Sequence, residues 1–199
     1  MLRLKISVLV LLESLCVALL CGCNKGDEIL LTTTPSTDTL TETTETVYNQ
    51  IPDETHPENF KVFVSDGITL TLPEEFNEVP DQDRPVYYSG YSFVSVTREP
   101  FTTHPSLAHM TLDEYCNALI ASRSMDSTVR VQGGLHWFDY EVKSPEADQP
   151  ATFFVVVYQT NTDFWIVEFA SDSRSAIRLR PYFFKWAKMI EFTEQMVQT

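Results

Sequence analysis

Residues 151–170 read ATFFVVVYQTNTDFWIVEFA. Two runs within this stretch, 151–159 and 164–170, are rich in β-branched and aromatic residues, and the polar residues 160–163 separate them. That composition is typical of two β-strands joined by a turn. Because apolar side chains stand at consecutive positions from 153 to 157, both faces of the first strand need to be covered. The pair is therefore predicted to lie in the centre of a sheet.

Two short alternating runs precede this pair and are joined by Asp66-Gly67, a dipeptide typical of hairpin turns. In each run every second residue is apolar, which predicts a strand with one face on a core. The side chains predicted to face that core are those of Phe60, Val62, Val64, Ile68, Leu70 and Leu72.

Three further strands are predicted from composition, at residues 86–97, 128–132 and 135–142. The first contains Gly90, which suggests a bulge, and Gly133-Gly134 separates the other two as a hairpin turn would. Alternation along the first strand places Tyr87, Tyr91 and Phe93 on one face and Tyr88 on the other.

Two amphipathic helices complete the predicted domain. Thr111 and Glu114 match a capping box at the start of a helix that runs to about Ser122. A second helix is predicted from about 174 to 190 and capped by Ser173. Pro181 is expected to kink this helix, and the alternative is that it marks the true start. The predicted inner faces are Leu112, Cys116, Leu119 and Ile120 in the first helix, and Ile177, Phe184, Ala187 and Ile190 in the second. The element order predicts an α+β fold, with an antiparallel sheet flanked by helices.

The first 22 residues are typical of a secretory signal. Two basic residues precede an apolar run from 6 to 20, which is shorter than the roughly 20 residues that a membrane-spanning helix needs. The run ends in Leu20-Cys21-Gly22-Cys23, which resembles the bacterial lipobox. The resemblance implies a diacylglycerol on the Cys23 sulfur and cleavage before Cys23, which would anchor the chain stably to a membrane. A plain signal peptide or an uncleaved anchor is the alternative.

Residues 23–58 are predicted to form a disordered tether, and residues 59–199 the folded domain. The tether holds ten threonines and eight acidic residues and shows no apolar period, so it cannot bury enough surface to fold. The whole chain carries a formal net charge of −14, which disfavours binding to nucleic acid or to anionic lipid surfaces. The predicted contact with a membrane is therefore through the lipid on Cys23 alone.

Three segments resemble the PsbP-like domain of bacterial lipoproteins, including the DcrB-like families. They are GITLTLPEEFNEV at 67–79, TLDEYCNALIASR at 111–123, and the stretch 164–192, which begins FWIVEFAS and ends YFFKWAKMIEF. The resemblance covers about residues 59–192 and rests on hydrophobic pattern and element order. It implies an α/β/α sandwich used mostly for binding or assembly, and it brings no catalytic residues with it.

No catalytic residue, metal ligand or cofactor site is predicted. Cys116 lies on the apolar face of a helix, so a buried and inert thiol is expected rather than a nucleophile. Asp81-Gln82-Asp83 begins like a calcium loop but lacks the glycine and the terminal glutamate that such a loop needs. The domain's histidines lack the spacing of metal ligands, and they are His104, His109 and His136.

Tyr88, Tyr91 and Trp137 are the candidate ligand-binding residues, because aromatic rings that line a cleft stack on sugars or peptides. The alternative is that these rings belong to the core. The sequence predicts a lipid-anchored, extracytoplasmic lipoprotein with a non-enzymatic binding or assembly domain. Its expected partner is an envelope protein or a cell-wall glycan. An envelope hydrolase whose active site the sequence does not reveal is the second hypothesis.

Overall fold

The computed structural model describes residues 59–143, 150–194 and 196–197. The predicted signal sequence, the lipidation site at Cys23 and the tether lie outside these ranges. None of the helices within them combines the length and the apolar composition that crossing a bilayer requires.

Ten strands and two α-helices form within the described residues. The strands are β1 (Phe60–Ser65), β2 (Ile68–Pro73), β3 (Asn77–Glu78), β4 (Val86–Tyr88), β5 (Phe93–Pro100), β6 (Arg130–Gln132), β7 (Leu135–Val142), β8 (Ala151–Gln159), β9 (Asp163–Asp172) and β10 (Glu191–Phe192). The helices are α1 (Leu112–Ser122) and α2 (Ser173–Ala187). A short 3-10 helix, Pro105–His109, precedes α1.

Three layers result from these elements. The middle layer is a seven-stranded antiparallel sheet with the strand order β3-β4-β5-β9-β8-β7-β6. Helix α1 packs on one face of this sheet, and α2 together with the small antiparallel sheet β1-β2-β10 packs on the other. The predicted α+β fold, an antiparallel sheet flanked by helices, is confirmed.

The central strand pair is where the sequence places it. β8 and β9 are neighbours in the middle of the large sheet, and every side chain from Phe153 to Val157 is buried. These side chains alternate between the two cores, so Phe154 and Val156 pack towards α2 while Phe153, Val155 and Val157 pack towards α1. Coverage on both faces explains the unbroken apolar run.

The predicted inner face of β1 is wrong. Val62 is 60% exposed and Val64 is 76% exposed, whereas Phe63 packs against the core. The two-residue turn Asp66-Gly67 pairs Ser65 with Ile68, so that Phe63 lies opposite Leu70. Cross-strand partners share a face, so the face of β2 that holds Ile68, Leu70 and Leu72 fixes the inner face of β1. The period of two is correct, but its phase is set by the turn.

Residues 86–97 form a hairpin rather than one bulged strand. β4 and β5 pair antiparallel, and a turn between them is closed by the N–H of Ser89, which donates to the carbonyl of Ser92 at 2.9 Å. The reversal places Phe93 in the core under α1, while Tyr87 and Tyr91 lie in the core under α2. The shared face predicted for Tyr87, Tyr91 and Phe93 is therefore wrong.

Helix α1 matches its prediction closely. The hydroxyl of Thr111 accepts the N–H of Glu114, and the Glu114 carboxylate accepts the N–H of Thr111 at 2.8 Å. This capping box holds the pKa of Glu114 below its usual value, because hydrogen bonds from Thr111 stabilise the charged carboxylate. The four predicted inner side chains are all buried, namely Leu112, Cys116, Leu119 and Ile120.

Helix α2 departs from its prediction at its start, its end and its inner face. Asp172 rather than Ser173 caps it, since the Asp172 carboxylate accepts the N–H groups of Arg174 and Ser175. The helix ends at Ala187, and Pro181 lies inside it. Of the predicted inner residues, Ala187 is buried, Phe184 and Ile190 are partly buried against the core, and Ile177 is 79% exposed. The other apolar residues buried in this helix are Ala176, Leu179, Phe183 and Trp186.

Candidate functional site

A buried carboxylate, Glu168, lies in the middle of β9 on the face covered by α1. Its side chain is 5% exposed, although the flanking residues on the same face, Ile166 and Ala170, belong to the apolar core. A buried carboxylate is unfavourable unless positive groups and hydrogen-bond donors surround it. Glu168 therefore requires partners that the neighbouring elements supply.

Two arginines and a serine supply these partners, with a longer contact of 3.5 Å from the Tyr140 hydroxyl to Oε1. The Nη1 atom of Arg123, at the C-terminal end of α1, lies 2.8 Å from Oε1 of Glu168. The Nη1 atom of Arg84, in the loop before β4, lies 3.6 Å from Oε2 of Glu168 and donates to the Thr97 hydroxyl at 2.8 Å. The Ser95 hydroxyl on β5 donates to Oε2 at 3.2 Å. The carboxylate thus ties the end of α1 and the loop before β4 to the sheet.

A second ion pair lies on the opposite face of β5. The Nε and Nη2 atoms of Arg98 bind the two carboxylate oxygens of Asp163 at 2.8 and 2.9 Å, and the Asp163 side chain is 1% exposed. Burial alone would raise the pKa of Asp163, but the hydrogen bonds from Arg98 and Thr162 outweigh it and lower the pKa. The same pairing raises the pKa of Arg98.

A pocket of about 450 Å³ lies between the two ion pairs, at the edge of β5. A volume of this size is within the range of small-molecule and peptide sites. The floor is apolar, and Val96, Leu119 and Trp165 contribute to it. The polar lining comes from the β1–β2 turn, the loop before β4, strand β5 and the end of α1, and it includes Asp66, Asp83, Arg84, Thr97, Arg98, Glu99, Ser122 and Arg123.

The edge of β5 is unpaired along this pocket. β4 ends its pairing at Val86 with Ser95, and one further hydrogen bond runs from the N–H of Val96 to the carbonyl of Pro85 at 3.0 Å. Pro85 has no N–H and cannot return a bond to the Val96 carbonyl. In an antiparallel strand the N–H and C=O of one residue point to the same side, as do those two residues further on. The N–H and C=O of Arg98 therefore face the pocket.

The charges at the mouth of the pocket are mainly acidic. Arg84, Arg98 and Arg123 are each engaged with Glu168 or Asp163. Asp66, Asp83 and Glu99 also line the pocket, and none of these three forms an ion pair within the described part of the chain. The mouth therefore attracts a cationic group, while the inner arginines fix the shape of the site.

The candidate ligand-binding residues Tyr88, Tyr91 and Trp137 do not form one surface. Tyr91 and Trp137 are 6% and 5% exposed and belong to the core under α2. Tyr88 is half-buried on β4, where its position next to Tyr87 and opposite Phe93 places it on the α1 side. None of the three lines the pocket at the edge of β5. The structure therefore separates these residues across the sheet.

Cys116 and the histidines lie apart from the pocket. Cys116 is fully buried, as its position on the helix predicts, and burial raises the pKa of its thiol to about 12. His136 pairs with Asp113 at 3.0 Å, while His104 and His109 are exposed. Among the described residues, no cluster of His, Cys, Asp and Glu side chains is arranged to hold a metal ion.

Sequence reasoning did not identify the residues that build the pocket. One signal was present in the sequence: Glu168 interrupts the otherwise apolar strand FWIVEFA, residues 164–170. A charged residue in a strand predicted to be covered on both sides implies buried partners of opposite charge. The partners Arg84 and Arg123 lie 84 and 45 residues away along the chain, in segments that carry no pattern linking them to Glu168.

Comparison with known proteins finds similarity to solved structures only. No family model matches the chain, and no curated protein matches it. Cyanobacterial PsbP (CyanoP) from Synechocystis sp. PCC 6803 is 10% identical with a TM-score of 0.43, over 71% of this chain and 96% of that one. The Ran-binding protein Mog1p from Saccharomyces cerevisiae is 12% identical with a TM-score of 0.45, over 69% of this chain and 97% of that one.

A third similar structure comes from Bacteroides thetaiotaomicron VPI-5482. It is 13% identical to this chain with a TM-score of 0.46, over 68% of this chain and 49% of its own length. These three similarities concern the fold alone.

Proposed function

We propose that this chain is a lipid-anchored, extracytoplasmic lipoprotein whose domain binds a ligand in the pocket at the edge of β5 without transforming it. The observation that carries the proposal is the pocket itself. An apolar floor of Val96, Leu119 and Trp165 lies beside an unpaired strand edge, with charged side chains held in place around both. A preformed site with few, fixed polar groups is typical of ligand binding.

The buried ion pairs support binding because they fix the walls of the pocket. Arg84 and Arg123 lie at its surface and share the Glu168 carboxylate, so the loop before β4 and the end of α1 are both held to the sheet. Arg98 is held by two hydrogen bonds to Asp163 and also donates to the carbonyl of Asp66 at 3.3 Å. A site that is organised before the ligand arrives loses less entropy when the ligand binds.

The positions of the titratable groups favour binding over the alternative hydrolase. A hydrolase needs a nucleophile or base with a pKa near the working pH, converging on a cleft. Cys116 and Tyr87 have pKa values raised to about 12 by burial, and both lie in the apolar cores rather than in the pocket. We therefore place the hydrolase second.

The anchor is tested by replacing the predicted lipidation site. Wild-type chain and a Cys23→Ala variant are expressed in a bacterium with a fatty-acid analogue as label, and the membrane and soluble fractions are compared. We expect the wild type to be labelled and membrane-bound, and the variant to be unlabelled and either unprocessed or released. Equal labelling, or an uncut wild-type chain recovered from the cell interior, contradicts the anchor.

The pocket is tested by filling it. Ser122 lines the pocket on α1, while Ala118 is exposed on the same helix and does not line it. Full-length chain, a Ser122→Trp variant and an Ala118→Trp control are immobilised and used to capture components of solubilised envelopes. We expect the wild type and the control to capture the same components and Ser122→Trp to lose them. Equal capture by all three, or hydrolysis of a captured component, contradicts binding in this pocket.

A further inference from the structure

We infer that the ligand of this pocket is an extended peptide segment with a lysine or arginine side chain, which adds to the free edge of β5 as a further strand. The inference rests on the proposed function, because it names the class of ligand for the same pocket. Three features of the pocket support this ligand: the unpaired backbone edge, a buried donor without an acceptor beside it, and the acidic mouth.

The backbone edge matches the hydrogen-bonding pattern of a peptide strand. Within the described residues, the C=O of Val96 and the N–H and C=O of Arg98 have no backbone partner on the pocket side, since Pro85 ends the pairing with the preceding segment. Two acceptors and one donor in alternating register are what an added strand needs. A sugar or a free cation has no such row of groups.

A buried donor beside this edge also lacks an acceptor. The Nε atom of Arg84 is shielded from solvent and has no hydrogen-bond partner among the described residues. A buried donor without an acceptor is unfavourable. Because Arg84 lines the pocket, a peptide carbonyl becomes an acceptor for this atom once the guanidinium turns towards the pocket.

The charge at the mouth selects a cationic side chain. Asp66 and Asp83 are exposed there and Glu99 is half-buried. With Glu168 and Asp163 they make five carboxylates around three arginines, so the net charge is negative. Successive side chains of a strand added to β5 point to opposite faces of the sheet. Asp66 lies on the α2 side of β5 and Glu99 on the α1 side, so a basic side chain meets a carboxylate on either side.

The inference is tested with synthetic peptides and full-length chain in detergent. The probe is acetyl-Val-Lys-Val-Lys-Val-amide, and its controls are the same peptide with Glu for Lys and the polyamine spermidine. Backbone amide resonances of residues 96–99 are followed by NMR during the titration. We expect the Lys peptide to shift these resonances and to bind at least about tenfold more tightly than the Glu peptide, since like charges at the mouth repel it.

Methylation of alternate peptide nitrogens tests strand addition directly. In an added strand every second N–H faces β5, so methylating the N–H groups of one phase removes the hydrogen bonds and methylating the other phase does not. We expect one of the two methylated peptides to lose at least about tenfold in affinity and the other to keep it. Equal effects of the two methylated peptides contradict strand addition.

A charge variant with a matched control tests the mouth. In one double variant, Asp83→Asn and Glu99→Gln neutralise two carboxylates of the pocket, and in the control Glu74→Gln and Glu75→Gln neutralise two exposed carboxylates outside it. We expect the pocket variant to bind the Lys peptide about three- to tenfold more weakly, and the control to bind it as the wild type does. Equal weakening in both variants contradicts a specific role for the mouth.

The outcomes separate this inference from the proposed function. Spermidine binding as tightly as the Lys peptide, or pairing of two copies of the chain through β5 with no peptide binding, overturns the peptide assignment. The assignment also falls if no peptide shifts residues 96–99 while capture from envelopes still depends on Ser122, and in that case the proposed function stands. Capture that does not depend on Ser122 removes the proposed function itself.

Discussion

The two faces of the seven-stranded sheet solve the problem of burial in different ways. Phe169 and Glu168 are neighbours in β9, so their side chains point to opposite faces. Phe169 joins an apolar layer under α2, whereas Glu168 brings a charge into the layer under α1. Strand β9 therefore contributes to an apolar layer on one face of the sheet and to a polar cluster on the other.

The apolar face is built from interlocking rings. Phe183 of α2 stacks on Phe169 at a centroid distance of 5.3 Å and contacts Trp186 at 5.7 Å and Phe154 at 6.0 Å. Each of these side chains removes a large apolar surface from water, and aromatic pairs add about 0.5–1.5 kcal/mol beyond that burial. This face therefore contributes a large share of the stability of the domain.

The polar cluster on the other face contributes little to stability, and its main effect is to fix the positions of side chains. Taking Glu168 and its arginines out of water costs much of what their attraction returns, so the intact cluster is close to neutral. What it provides is a fixed position for Arg84 and Arg123 at the pocket. The comparison implies that the α2 face holds the domain together and that the cluster on the α1 face organises the pocket at the edge of β5.

The largest effect is expected from removing a ring on the apolar face. Phe183 is 1% exposed, and Phe183→Ala leaves a cavity that should lower the free energy of unfolding by about 4 kcal/mol. Ile177→Ala on the same helix is the control, because Ile177 is 79% exposed and its loss should change stability by less than about 0.5 kcal/mol. Urea unfolding followed by tryptophan fluorescence measures both. Similar losses in the two variants contradict the assignment of the inner face of α2.

A smaller loss is expected from breaking the polar cluster on the other face. Arg123→Met leaves Glu168 buried with Arg84 at 3.6 Å as its remaining cation, which should lower the free energy of unfolding by about 3 kcal/mol. The double variant Arg123→Met with Glu168→Gln removes the uncompensated charge and should recover part of this loss. The single variant Glu168→Gln completes the comparison. If the losses of the two single variants simply add in the double variant, the two side chains are independent and the cluster is not a unit.

The sequence predicts the layers of this fold well and the phase of its outer elements poorly. The run from 153 to 157 is apolar at every position, and only a central, doubly covered strand accommodates it. β1 has three consecutive apolar residues, and the exposed Val62 and Val64 are as apolar as the half-buried Phe63 between them. Hydrophobicity alone cannot choose between these two faces. The register set by Asp66-Gly67 chooses between them, because it pairs Ser65 with Ile68.

The residues of the candidate site cannot be predicted from sequence patterns, for a different reason. Its backbone edge exists because β4 begins only at Val86, opposite Ser95, while β5 continues to Pro100, and such a difference in strand length is decided by tertiary pairing. The density of aromatic residues suggests Tyr91 and Trp137 as ligand-binding residues, but both are buried in the core. Large aromatic side chains are highly buried on average, so their density is a weak signal of a site. Glu168 was the visible exception to the apolar pattern, and it lies at the centre of the cluster beside the pocket.

The smallest loss of stability is expected from breaking the ion pair between Arg98 and Asp163. This pair lies on the α2 face, where β5 ends and β9 begins. The folded-state pKa of Asp163 is lowered, so its contribution to stability is present above the unfolded value of about 3.9 and is lost as the pH falls through the folded value. Asp163→Asn should lower the free energy of unfolding by about 1–2 kcal/mol at pH 7, because Arg98 is partly solvated and the amide keeps one acceptor. The difference between wild type and variant should shrink as the pH falls below about 4. If the difference in the free energy of unfolding stays constant from pH 7 to pH 3, the Asp163 carboxylate contributes through its shape rather than its charge. Charge-dependent stability would then lie on the Glu168 side of the sheet.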